Sequence, residues 1–283
     1  MELLHTEPAL FTGLVFLFSL MVGSFLNVVI HRLPKMMETE WHAQCAELRG
    51  EVLPDAPRYS LWLPRSACPA CGHQIAALEN IPVLSWLWLR GRCSACRTAI
   101  SGRYPLVELL TAVLSAAAAW KWGVSIQTLG ALFLIWTLVA LAFIDLDTKF
   151  LYDDLTVPLL WLGLLFNLIG TFTNLPDAVI GAMAGYLSLW SVYWLFKLVT
   201  GKEGMGYGDF KLLAAIGAWL GWQMLPVTIL LSAGVGSVIG IIMILLGKRD
   251  INSQIPFGIY LMGGGLVALF FGADLTQAYH GQF

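Results

Sequence analysis

The chain has 283 residues, of which 58% are hydrophobic and only 12% charged, with a formal net charge of −2; its mean hydropathy is +0.75. A soluble domain carries about 25% charged residues, so this chain has too few to coat a surface in water, and its near-neutral balance offers no field for nucleic acid. A disordered, fibrous or ordinary cytosolic protein is excluded, as is a charge-driven nucleic-acid binder, and an integral membrane protein remains.

In chain order, the first apolar segment runs over about 9–30. It is long enough to cross a hydrocarbon core of about 30 Å. It has no basic n-region and no small-residue cleavage site, so it is expected to be a retained helix rather than a secretory signal. Gly23, Ser24 and Asn27 within it read as helix-packing contacts, with a substrate role as the alternative.

A polar loop follows at 31–103, about 73 residues with nine Lys/Arg and six Asp/Glu. It contains Cys68-Pro-Ala-Cys71 and Cys93-Ser-Ala-Cys96, with 21 residues between the pairs. This spacing points to zinc, and four thiolates leave the metal no open position, so the site would be structural. Two disulfides or four free thiols are the alternatives, and a reducing cytosol disfavours stable disulfides. A domain below about 70–80 residues often needs such a staple. Cys45 is left as a plain thiol and His73 as a surface histidine.

The second segment, about 104–120, carries Glu108 one turn in, where it can cap or snorkel. The third, about 125–145, ends in Asp145-Leu146-Asp147. The fourth, about 155–173, follows Asp153-Asp154, acids suited to an N-cap and first turn; Asp147 suits a solvated helix end. The fifth covers about 178–198. The sixth, about 208–222, opens with Gly206-Tyr207-Gly208-Asp209, and its apolar part, Phe210 to Trp222, has 13 residues. That is about 20 Å of helix, too short to cross unaided, so it must begin in a cavity or against other helices. The seventh and eighth are about 224–246 and 256–272.

The alternation of a membrane barrel is absent. The expected fold is an all-α polytopic membrane protein of about eight transmembrane helices, with a small zinc-stapled cytoplasmic domain between helices 1 and 2. The expected divisions are a first helix at 1–30, the zinc domain at 31–104 and a membrane domain at 105–283. Of the 16 basic residues only Lys121 lies away from the loops at 31–103, 146–154, 199–207 and 247–255 and their flanks. Those loops are therefore cytoplasmic and both termini lie on the outer side, which is the periplasm if the membrane is a bacterial inner membrane.

An acid at a helix C-terminus opposes the macrodipole, so Asp145 needs a reason. Asp209 follows two glycines, where backbones can approach closely, and it opens the helix too short to span. Two facing carboxylates can share one proton. The ionised one activates water for attack on a carbonyl; the protonated one hydrogen-bonds the carbonyl oxygen.

Several motifs occur together: Gly23-Ser24-Phe25-Leu26-Asn27 through His31-Arg32-Leu33-Pro34, the two CxxC pairs, Glu79-Asn80-Ile81-Pro82, and Ile100-Ser101-Gly102-Arg103-Tyr104-Pro105. Phe143-Ile144-Asp145-Leu146-Asp147-Thr148 and Gly206-Tyr207-Gly208-Asp209-Phe210-Lys211 complete the set. In this order they resemble the bacterial type IV prepilin peptidases, a family of GxGD intramembrane aspartyl proteases in type II secretion and type IV pilus systems. The resemblance implies Asp145 and Asp209 as the catalytic pair. It implies cleavage of the basic leader of a prepilin or pseudopilin after a glycine, at the cytoplasmic face of the inner membrane. It also implies N-methylation of the new N-terminal residue from S-adenosylmethionine. One departure is Leu151-Tyr152-Asp153, where the family usually shows Leu-Pro-Asp. No Gly-rich dinucleotide fingerprint is present, so the residues do not place the methyl donor; the cytoplasmic domain is the expected place for a polar cofactor. Two further readings are a peptidase without methylation, as in the archaeal preflagellin peptidases, and a proton-coupled transporter, which would carry acids deep within its spans. A membrane-anchored zinc module is another, and it leaves the Gly-x-Gly-Asp motif without a use.

Overall fold

A computed structural model describes residues 6–51, 59–246 and 256–280; the expected loop at 247–255 lies outside them. Every regular element among the described residues is helical, and the extended pairings are two isolated bridges, Ala67 with Gln74 and Arg92 with Ala99. The longer helices are α1 (Pro8–Arg49), α2 (Leu84–Trp88), α3 (Arg103–Trp122), α4 (Ile126–Thr148), α5 (Asp153–Asn167), α6 (Leu175–Thr200), α7 (Tyr207–Leu220), α8 (Leu225–Leu245) and α9 (Gly258–His280).

Among the described residues, four helical segments are long and apolar enough to cross a membrane: Pro8–Arg49, Ile126–Thr148, Leu175–Thr200 and Trp222–Leu245. The other four expected segments are helices too, but α5 has only 15 residues and α7 only 14. At 1.5 Å per residue these measure about 22 Å and 21 Å. The apolar part of α9 is Gly258–Gly272.

By internal contacts the chain forms two compact units, Met1–Val124 and Ser125–Phe283. In the first, α1 does not stop near residue 30. It continues to Arg49, 42 residues in all, or about 63 Å. Residues 35–49 are mostly good helix formers, and Pro34 is carried inside the helix. α1 packs along α3, and they approach closely at Gly23, where a Cβ would stand 2.7 Å from Glu108 Cα. Asn27 donates to the Tyr104 carbonyl at 3.1 Å, tying the same pair of helices.

The second unit is arranged around α7. From Asp209 to Gly221 every residue except Lys211 is buried, against α6, α5 and α9. On α6, Gly181 and Gly185 are four residues apart and face α7. A Cβ on Gly181 would collide with the Gly217 carbonyl, and one on Gly185 would lie 2.6 Å from the Leu213 carbonyl oxygen. This is the small-residue crossing by which membrane helices approach. Trp219 is fully buried. Its indole donates to the Leu159 carbonyl at 2.8 Å, and its ring meets Phe166 and Phe172 at 5.2 Å and 5.8 Å.

Asn167 explains why α5 ends early. Its amide donates to the carbonyls of Ala218 and Trp219, both at 2.8 Å, and its oxygen accepts from the amides of Phe172 and Thr173. The chain after Asn167 therefore folds over the end of α7 instead of continuing as helix to residue 173. The side chain that ends one short helix thus satisfies the terminal carbonyls of the other, as lipid cannot.

Candidate active site and cysteine cluster

Asp145 closes α4 and Asp209 sits in the first turn of α7; they are only 3% and 7% exposed. They are close enough that the charge of Asp145 bears on Asp209. The Asp145 carboxylate accepts from the Ile259 amide at 3.1 Å, in the first turn of α9. Gly258 permits this approach, since a Cβ there would stand 2.8 Å from Asp145 Oδ2. Leu151 is wedged between two glycines. A Cβ at Gly208 would lie 2.7 Å from Leu151 Cβ, and one at Gly258 would lie 3.1 Å from its Cδ1. The start of α7 is held on one side by aromatic contacts of Tyr207 and Phe210 with Tyr193, at 5.2 Å and 5.6 Å. On the other, Lys211 reaches both oxygens of Asp153 at 2.7 Å and 2.6 Å. Asp153 is thus a first-turn acid of α5 that also ties it to α7. Asp147 and Asp154 are exposed. Of the acids at these helix ends, burial singles out Asp145 and Asp209.

In the first unit the ligand atoms of Cys68, Cys71, Cys93 and Cys96 lie within 4.8 Å of one another. The Sγ atoms of Cys68 and Cys96 are 3.8 Å apart, which matches the edge of about 3.8 Å that a tetrahedron with Zn–S bonds of about 2.3 Å requires. The two CxxC segments are one motif built twice, 25 positions apart. Cys68 and Cys93 donate their amides to the His73 and Thr98 carbonyls, Gly72 and Arg97 to the Cys68 and Cys93 carbonyls, and Ile75 and Ile100 to the Ser66 and Gly91 carbonyls. Gly72 and Arg97 both have positive φ, +72° and +60°.

The thiols fit a cation electrostatically. Hydrogen bonds from the Thr98 hydroxyl and amide draw Cys96 down to about 6. Cys71, against the pull of the His73 amide, is pushed up to about 12 by Cys96, burial and the other sulfurs. Four thiolates this close repel one another, and a divalent metal removes that obstacle.

The profile of the bacterial peptidase A24 N-terminal domain matches residues 17–122, and that of the type IV leader peptidase family matches residues 132–241. A protein of Aeromonas hydrophila named prepilin leader peptidase/N-methyltransferase is 62% identical, over 100% of this chain and 98% of its own length. The chain belongs to the type IV leader peptidase family. Relatives with the same name from Stutzerimonas stutzeri and Pseudomonas aeruginosa are each 55% identical, over 98% and 99% of this chain and 96% and 97% of their own. No solved structure matches.

The departure from the leader peptidase family's usual Leu-Pro-Asp is conformationally mild. Tyr152 has φ −77°, within the range to which proline is confined, so the backbone into α5 runs as a proline would set it. Three polar side chains proved more central than the sequence suggests. Glu108 is buried, and instead of snorkelling it accepts from the Val83 amide at 2.7 Å. Arg32, 7% exposed, donates to the carbonyls of Ser60 at 2.8 Å and Pro64 at 2.6 Å. His73 is no bare surface histidine, because its ring pairs with Glu79 at 3.1 Å. Glu79 is held down to about 2 by the Ser94 hydroxyl, the Ala76 amide and His73, and so links both cysteine segments. A charged residue inside a helical or apolar stretch was the available signal for Glu108, and the motif around it for Arg32.

Proposed function

We propose that this protein cleaves the basic leader from type IV prepilins or type II secretion pseudopilins at the cytoplasmic face of the inner membrane, and N-methylates the exposed N-terminal residue. The observation that carries the reading is the pairing of two buried carboxylates, Asp145 and Asp209, at helix ends in a full-length relative of prepilin leader peptidase/N-methyltransferases. Asp145 and Asp209 share one proton; the ionised carboxylate takes a proton from water as it attacks the scissile carbonyl. The protonated carboxylate hydrogen-bonds the carbonyl oxygen and then helps protonate the leaving amine. The amide of Ile259 keeps Asp145 oriented. Eight helical segments cross or enter the membrane, with both termini periplasmic.

Cys68, Cys71, Cys93 and Cys96 hold a structural Zn²⁺. S-adenosylmethionine is the methyl donor and supplies an electrophilic methyl group. The test is to incubate the purified protein with a prepilin, with and without S-adenosylmethionine, and read product masses. The expected products are trimmed pilin without the donor and trimmed pilin plus one methyl with it. Cleavage without any methyl gain would leave a peptidase alone, and no cleavage would end the proposal.

A further inference from the structure

The first unit contains a cavity of about 640 Å³ that the peptidase chemistry does not use. It lies between α1, α3 and the cysteine segments, and its size falls in the range of about 300–1,000 Å³ typical of small-molecule sites. Two carboxylates, Glu79 and Glu108, face into it, together with the rings of Tyr59, Trp86 and Tyr104. The one fully committed cation of the wall is Arg32, whose guanidinium is spent on backbone carbonyls. The wall is rigid where a ligand would need it. Trp86 donates to the Ile100 carbonyl at 3.2 Å, and its ring is pressed on Gly91, where a Cβ would stand 2.9 Å away. Glu108 is fixed by the Val83 amide at 2.7 Å, which leaves further acceptor capacity on a carboxylate. Arg65 and His31 stand at the exposed part of the lining.

We infer that this cavity is the binding site of the methyl donor. The inference rests on the proposed methyltransferase activity and supplies its location. S-adenosylmethionine combines a purine, a ribose diol, a sulfonium cation and an amino-acid end. Aromatic faces suit a purine and a cation, the carboxylates suit hydroxyls and positive charge, and Arg65 suits the ligand carboxylate. The cysteine segments contribute part of the wall, which makes zinc a requirement for methylation by shaping the site, with no metal contact to the ligand.

The test uses the full chain in detergent. S-adenosylmethionine and its neutral product S-adenosylhomocysteine are titrated calorimetrically, and radiolabelled S-adenosylmethionine is photo-crosslinked and mapped by peptide mass. The expected label lies within residues 24–108. Val28→Trp, which fills the cavity from α1, should weaken both ligands at least about tenfold while zinc content stays that of wild type. Glu108→Gln keeps an acceptor for Val83 but removes charge, so it should weaken the cationic donor about tenfold and the neutral product much less. Label in the second unit, or wild-type affinity in both variants, overturns the site while methylation by the wild type preserves the function. A wild type that neither binds the donor nor methylates trimmed pilin overturns the methyltransferase activity, and the site with it.

Discussion

The cysteine-rich segment and the bundle around α7 are held together in opposite ways. Among residues 59–102 only Gly91 and Cys93 are buried, so the segment has no apolar core of its own. Its order rests on backbone hydrogen bonds within two matching knuckles, on Glu79 bridging them, and on four converging sulfurs. Helix α7, in contrast, is buried from Asp209 to its end apart from Lys211 and needs no cross-link. Glycines on both sides of its crossing with α6 let backbones touch, and Trp219 and Asn167 satisfy polar groups that lipid would leave open. The polar segment without a core is ordered by local turns and converging side chains; the membrane bundle by small residues and complete hydrogen bonding.

The largest effect should come from the two acids. Asp145→Asn or Asp209→Asn should reduce leader cleavage by at least about 10³-fold, with zinc content and insertion unchanged. Asp145→Asn should still methylate an already trimmed pilin, measured as a one-methyl mass gain; loss of both activities on that substrate would show the two sites to be one.

Removing the metal should divide the two regions. Chelation, or Cys68→Ser with Cys71→Ser, should expose residues 59–102 to protease and impair methylation at least as much as cleavage. Metal analysis should return one zinc per chain in the wild type and none in the double variant. Cys45→Ser should change neither. The converse break is Gly181→Leu, whose side chain would run into the Gly217 backbone. It should abolish cleavage by forcing α6 from α7 while zinc content is retained, because the overpacked crossing costs about 1–3 kcal/mol or more.

The smallest effect should be at Lys211. Its pair with Asp153 is partly exposed, at 35% and 58%, and such pairs contribute about 0.2–1 kcal/mol. Lys211→Met should slow cleavage by roughly two- to fivefold by loosening the start of α7. Asp147→Asn, at an exposed carboxylate, should slow it less than about threefold. A larger loss at Asp147 than at Asp145 would reverse the assignment of the first acid.

Much of the site was legible without coordinates. Runs free of charge mark membrane helices because charges are costly in lipid, and the CxxC spacing marks a sulfur cluster because the short turn it makes is local. The Gly-x-Gly-Asp motif marks a place where backbones meet. Tertiary structure decided what depends on distant partners. It extended α1 to Arg49 and ended α5 at Asn167, whose partners, Ala218 and Trp219, lie 51 and 52 positions away. It separated buried Asp145 from exposed Asp147, two positions apart on one helix, because only one faces the Ile259 amide 114 positions on. It also turned Glu108 and Arg32 inward. Local patterns set helix and knuckle, since their hydrogen bonds close within a few residues. Burial of a carboxylate is set by whichever helix packs over it, and no local pattern encodes that.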